Sequence, residues 1–182
     1  IKLAKKIGHV REDEQDKSEV LLDERMLETP GIAVQSTVNE TLRMGEMVNE
    51  APEAAKAVLY TKKREDIEAI KDVEQTVDRL AAGISNYAVT LGSLQISEKE
   101  HQDVAHLLQI VSDIERVSDY CENISEFAET LLEKKVQFSD VAKEQLDEMI
   151  EESAGSYKFA MEALRDNDKE KALKVIEKET KV

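Results

Sequence analysis

The 182-residue chain has no tryptophan, two prolines, six glycines and one cysteine, and aromatic residues make up only 4% of it. Each shortage excludes something. A lone cysteine, Cys121, forbids an intrachain disulfide and suits a reducing compartment. Scarce proline and glycine leave room for long unbroken helices, and no run alternates apolar and polar residues over a convincing strand length. No stretch approaches the roughly 18–20 apolar residues that span a bilayer, and no signal peptide is visible. Positive charge is short as well: 25 Lys and Arg face 40 Asp and Glu, for a net charge of -15. Such a surface repels polyanions, so nucleic acid is excluded as a partner. There is no glycine-rich phosphate loop, no His-x-x-x-His and no nucleophile with an evident base, so the expectation is a protein that is not an enzyme. A di-metal oxidase would need Glu-x-x-His pairs facing into the core, and none is present.

What the chain does have is amphipathic helix. Hydrophobic residues make up 41% and charged residues 36%, and the apolar positions recur at helical spacing. Residues 8–19 are almost wholly polar and read as a linker, and Thr29-Pro30 opens the first helix. That helix should run to about Tyr60, with a kink or break at Pro52. A second spans Glu65 to Leu91 on the stripe Ile67, Ile70, Val73, Val77, Leu80 and Ile84, and ends at Gly92-Ser93. The third and longest starts at a Ser97/Glu100 capping box and closes at Lys134-Lys135. A fourth is capped by Ser139 or Asp140, and Asn167 with Glu170 suggests a capping box for a fifth. Without gaps, a shift of 105 residues superposes Met44 on Met149, Ala55 on Ala160, Glu65 on Glu170 and Val77 on Val182, so the last two helices look like a second copy of the first two.

The longest helix carries DIERVSDYCENI at 113–124. At about 100° per residue, Glu115, Asp119, Glu122 and Glu126 share one face, with the apolar series Ile110, Ile114, Val117, Cys121 and Ile124 centred opposite. The preceding helix holds an echo, Glu74 and Asp78, also four apart. Such acids are either a solvated face or a ligand strip. Like charges one turn apart mildly oppose a helix, whereas paired carboxylates from two helices can hold a hard cation. His101 and His106 do not share a face, His9 lies in the polar linker, and Cys121 sits at an apolar position as a small core residue.

The same stretch resembles the signature of PhoU-type proteins, roughly D-[LI]-E-R-[IV]-[GS]-D-H-A-x-N-I, matched as they stand by Asp113, Glu115, Arg116, Asp119, Asn123 and Ile124. LRMGEMVNEA at 42–51 is similar to the Met-Gly-Glu opening of that family's first helix, and DVEQTVDRL at 72–80 to its second-helix acidic motif. Tyr120 and Cys121 stand where the family usually has His and Ala. The upstream LLDERMLETPGIAVQ is similar to the segment that joins the membrane part of bacterial Na⁺/phosphate cotransporter-type proteins to a C-terminal PhoU domain.

The resemblance implies an all-α antiparallel bundle of three-helix repeats, the first at about 35–133 and an incomplete second at about 139–182, after a juxtamembrane linker at 1–29. It implies bound metal ions (iron, zinc or manganese) on Glu74, Asp78, Glu115 and Asp119. It also implies a regulatory role in phosphate transport at the cytoplasmic side of the membrane, with a transporter domain of the same polypeptide as partner. The basic stretch IKLAKKI then reads as the exit of a membrane helix rather than a plain helix end, and the Ile start as a piece of a longer protein. Apolar faces left by the incomplete repeat suit a homodimer. The alternatives are a free-standing phosphate-signalling adaptor and a bundle whose acids serve solubility alone.

Overall fold

In a computed structural model, residues 19–179 are described, with side chains to Ile176. His9 and IKLAKKI therefore lie outside the described residues, as does the side chain of Glu179. The described chain is all-α, with no strand. A 3-10 turn at Glu24–Glu28 leads into α1 (Pro30–Val48), α2 (Ala51–Thr61), α3 (Arg64–Gly92), α4 (Glu98–Glu133), α5 (Asp140–Asp166) and α6 (Lys169–Glu179).

The first expected helix is two helices. The chain leaves α1 at Asn49 and restarts at Ala51, which places Pro52 in the first turn of α2, where a missing N–H costs nothing. Ser97 and Glu100 form the capping box of α4 in both directions, and Ser139 caps α5 through the Ala142 N–H. The expected capping box at Asn167 is not formed. Asn167 adopts the left-handed conformation (φ 50°) as the C-cap of α5, and Asp168 instead accepts the N–H groups of Glu170 and Lys171 to start α6. Asn tolerates that region better than most residues, which explains the one-residue shift.

The core lies where α1, α2, α3 and α4 meet. Met44, Val48, Val58, Ile67, Val77, Leu80, Ile84, Val111 and Ile114 are fully enclosed there. Burying a side chain of this size contributes roughly 1.5–3 kcal/mol. α5 closes the side of α1 and α2 through Tyr157 Oη, which donates to the Gly45 carbonyl at 2.8 Å, and Tyr60 Oη, which donates to Asp147 at 2.8 Å. α6 packs on α5. Together α4, α5 and α6 leave an open apolar groove of about 480 Å³ floored by Ile114, Val117, Leu164 and Ile176.

α3 and α4 share the largest interface and run antiparallel: Lys71 pairs with Glu129 at one end while Asp78 meets Asp119 nearer the other. The buried face of α4 is turned from the expected one, although Ile114 and Cys121 are buried as expected. Ile110, Val117 and Ile124 are only half-buried, while Val111, Ser118 and Ser125 are buried. The small serines thus hold buried positions on α4 beside the larger apolar residues. Ser125 Oγ satisfies itself on the Glu122 carbonyl at 2.7 Å. That rotation decides where the acids go.

Candidate metal centre

With α4 so turned, the acidic strip lies beside the buried face, about 90° from its centre, instead of opposite it. Glu115, Asp119 and Glu122 are half-buried in the groove between α3 and α4, where Glu74 meets them; Asp78 and Glu126 stand at its exposed rim. One carboxylate oxygen from each of Glu74, Asp78 and Asp119 lies within 4.8 Å of the other two. Oxygens sharing an ion at about 2.1–2.5 Å sit roughly 3–5 Å apart, so this trio is spaced for a cation with little closure. Glu115, the fourth expected ligand, is outside that tight trio but feels the charges of Asp78 and Asp119.

The motif arginines do not neutralise the cluster. Arg79 donates to Thr76 Oγ1 at 3.2 Å, and Arg116 turns toward Asp113 and Tyr120. Among the described residues, no Lys or Arg forms an ion pair with Glu74, Asp78, Glu115, Asp119 or Glu122. Lys71, three residues before Glu74 on α3, is held by Glu129 at 3.2 Å.

Crowded acids without a counter-charge hold on to protons. Burial, then the charge of Asp78, then that of Glu122, a hydrogen bond with Asp78 and the charge of Asp119 push the Glu74 carboxyl up to about 7. Burial, then Asp78 and Asp119, raise Glu115 as well. Glu122 thus belongs to this electrostatic cluster although the motif alone did not single it out. The signal was available: it lies seven residues from Glu115 and three from Asp119, on their face. The histidines and the cysteine take no part. His101 and His106 are exposed elsewhere on α4, and Cys121 is buried in the core, its thiol pushed up to about 12 by burial.

The donor chemistry fits a hard cation. The three groups brought together are all carboxylates, and an ion there would offset the burial and repulsion that raise the Glu74 carboxyl.

Comparison with known proteins agrees with the helix arrangement. Residues 41–128, from α1 to the end of the acidic strip on α4, match the family model described as the PhoU domain. The chain is 25% identical over 148 residues to the "Putative inorganic phosphate export protein YjbB" of Salmonella typhimurium, covering 81% of this chain and 27% of that protein. The protein of the same name from Escherichia coli K12 is 26% identical over the same length and coverage. A "Phosphate-specific transport system accessory protein PhoU homolog" of Synechocystis is 27% identical over 97 residues, covering 53% of this chain and 43% of that one. The chain thus spans about a quarter of the length of the phosphate export relatives it matches. No solved structure matches it significantly. The match to the PhoU domain model covers just under half of the chain.

Proposed function

We propose that this chain is a metal-dependent regulatory domain of a phosphate-transport protein, with Glu74, Asp78 and Asp119 as direct ligands and Glu115 completing the set. The observation that carries the reading is the carboxylate trio, within 4.8 Å, with no cationic partner among the described residues. All-oxygen donors favour manganese or iron over zinc, which prefers nitrogen and sulfur. The ion supplies a crosslink between α3 and α4. Glu74 and Asp78 would hold the ion from α3 and Asp119 from α4, Glu74 would have to be ionised to do so, and Glu122 would add a further negative charge nearby. The domain has a regulatory and not a catalytic role.

The phosphate-transport setting is drawn from the PhoU match and from the relatives, two of which carry phosphate export in their names. In this reading the domain is one part of a longer membrane transporter, lies on its cytoplasmic side and is joined to it through residues 1–29. None of the described helices is long and apolar enough to cross a membrane. A free-standing adaptor is the second reading, favoured by the match to the Synechocystis PhoU homolog. The coding sequence upstream of Ile1 separates the two: a run of membrane helices supports the transporter, a nearby start codon the adaptor.

Calorimetric titration of EDTA-stripped protein with Mn²⁺ tests the metal. Saturable binding is expected, weakened at least about tenfold by Asp119→Asn, since one charged ligand of a small set is lost. Equal binding by both proteins would remove Asp119 from the site and sink the reading.

A further inference from the structure

Residues 19–28 do not enter the core, yet they are fastened to the bundle at several points. Val20 sits over Gly83 of α3 so closely that a Cβ on Gly83 would lie 2.4 Å from Val20 Cγ2. Glycine in the middle of a 29-residue helix is unfavourable, and here it makes the seat that Val20 fills. The next residue, Leu21, donates its N–H to Glu40 Oε1 at 3.0 Å. Glu40 is a carboxylate only 4% exposed, and Arg43 grips it with Nε at 2.9 Å and Nη2 at 2.7 Å. Arg43 Nη2 also donates to the Glu19 carbonyl at 2.8 Å. Further along, Tyr87 Oη donates to the Asp23 carbonyl at 3.2 Å, and Leu22, Met26 and Leu27 lie over the buried cluster of Ala33, Tyr87, Ala88 and Leu91.

This is the build of a clasp. Its anchors (the Gly83 seat and the Glu40–Arg43 pair) belong to α1 and α3, so they stay in place when the segment leaves. No residue of the 3-10 turn is buried, so the segment's apolar contacts lie at the surface of the bundle and not inside it. Segments with few buried contacts open at lower free energy than the core they cover.

We propose that residues 19–28 are a latch that opens without unfolding the bundle. Closed, it holds Glu19 to Leu21 against α1 and α3; open, it bares the apolar surface around Tyr87. The latch gives the domain a two-state element through which the chain ahead of residue 19 and the helix bundle influence each other.

Hydrogen exchange read by mass spectrometry tests this on the whole chain. It is run in EDTA, so that the result does not depend on the metal reading. Amides of residues 20–29 are expected to be protected, but to exchange faster than the core amides of α3 and α4. Gly83→Ala fills the seat and should speed exchange at 20–29 by at least about tenfold with the α4 core unchanged. Val20→Ala in the same chain removes the clashing Cγ2 methyl and should restore most of the protection. Should Gly83→Ala fail to fold, Val20→Ala alone empties the seat without touching α3, and should speed exchange at 20–29 by at least about threefold. Exchange at 20–29 that occurs only with global unfolding, or that ignores the variant tested, would overturn the latch.

Discussion

Glu74 is where the cost of gathering acids is concentrated. Its carboxyl sits near 7 in the folded protein against an ordinary 4.5, because burial and then the charges of Asp78 and Glu122 disfavour its ionised form. Between those two values the folded state binds more protons than the unfolded state. The Glu74 contribution to stability is therefore fully present below about 4.5, is lost as pH climbs, and is gone above about 7. In EDTA, the urea midpoint should fall across that window, and Glu74→Gln should flatten the fall. An identical pH profile for both proteins would place the effect elsewhere. Because binding a cation requires the ionised form, Mn²⁺ affinity should rise over the same interval. Cys121 offers a separate check at this scale. A thiol raised to about 12 by burial is barely nucleophilic, so at pH 8 its labelling by a maleimide should follow global unfolding. Rapid labelling of folded protein would contradict its burial on the core face of α4.

At the scale of the element, the α3–α4 pair sets the site. Ser118 and Ser125 are both buried on α4, and Ser118 directly precedes Asp119, which meets Glu74 and Asp78 of α3. Ser118→Leu should cost about 1–3 kcal/mol by overpacking and should also weaken Mn²⁺ binding, because the acids move apart. Ser97→Ala removes the α4 cap and should cost about 1 kcal/mol with Mn²⁺ binding intact. Denaturant melts paired with Mn²⁺ titrations distinguish them; equal binding losses would mean that the helix spacing is not what matters. The helices themselves were legible from the sequence because long amphipathic stripes, a capping box and Pro52 each have a local physical cause. The Glu74/Asp78 and Asp119 motif was legible too. The rotation of α4 was not: helical periodicity favours the larger apolar residues Val117 and Ile124, and only tertiary packing reveals that small Ser118 and Ser125 are the buried ones. Asn167 misled for a related reason, since Asn serves helix starts and left-handed ends alike. The clasp of Val20 on Gly83 joins residues 63 positions apart, a contact no local pattern announces.

At the scale of the molecule, a net charge of -15 means that the fold is assembled against its own repulsion. A cation bound to the folded state alone would offset part of this; at a hundredfold excess over its dissociation constant, linkage gives about 2.7 kcal/mol. The apolar groove of α4, α5 and α6, beside exposed Leu173 and Ile176, is the surface on which the proposed homodimer would form. Sedimentation of the whole chain should then show a concentration-dependent dimer that Leu173→Glu weakens; a monomer at all concentrations would remove that proposal. The central claim, that the acids of α3 and α4 are ligands and not a solvated face, is tested most directly by elemental analysis. Protein purified without added metal or a metal-affinity column is compared with Asp78→Asn/Asp119→Asn. The expected result is near-stoichiometric manganese or iron in the wild type, lost in the double variant while the fold, by circular dichroism, is kept. Metal at the same level in both proteins, or in neither, would contradict it.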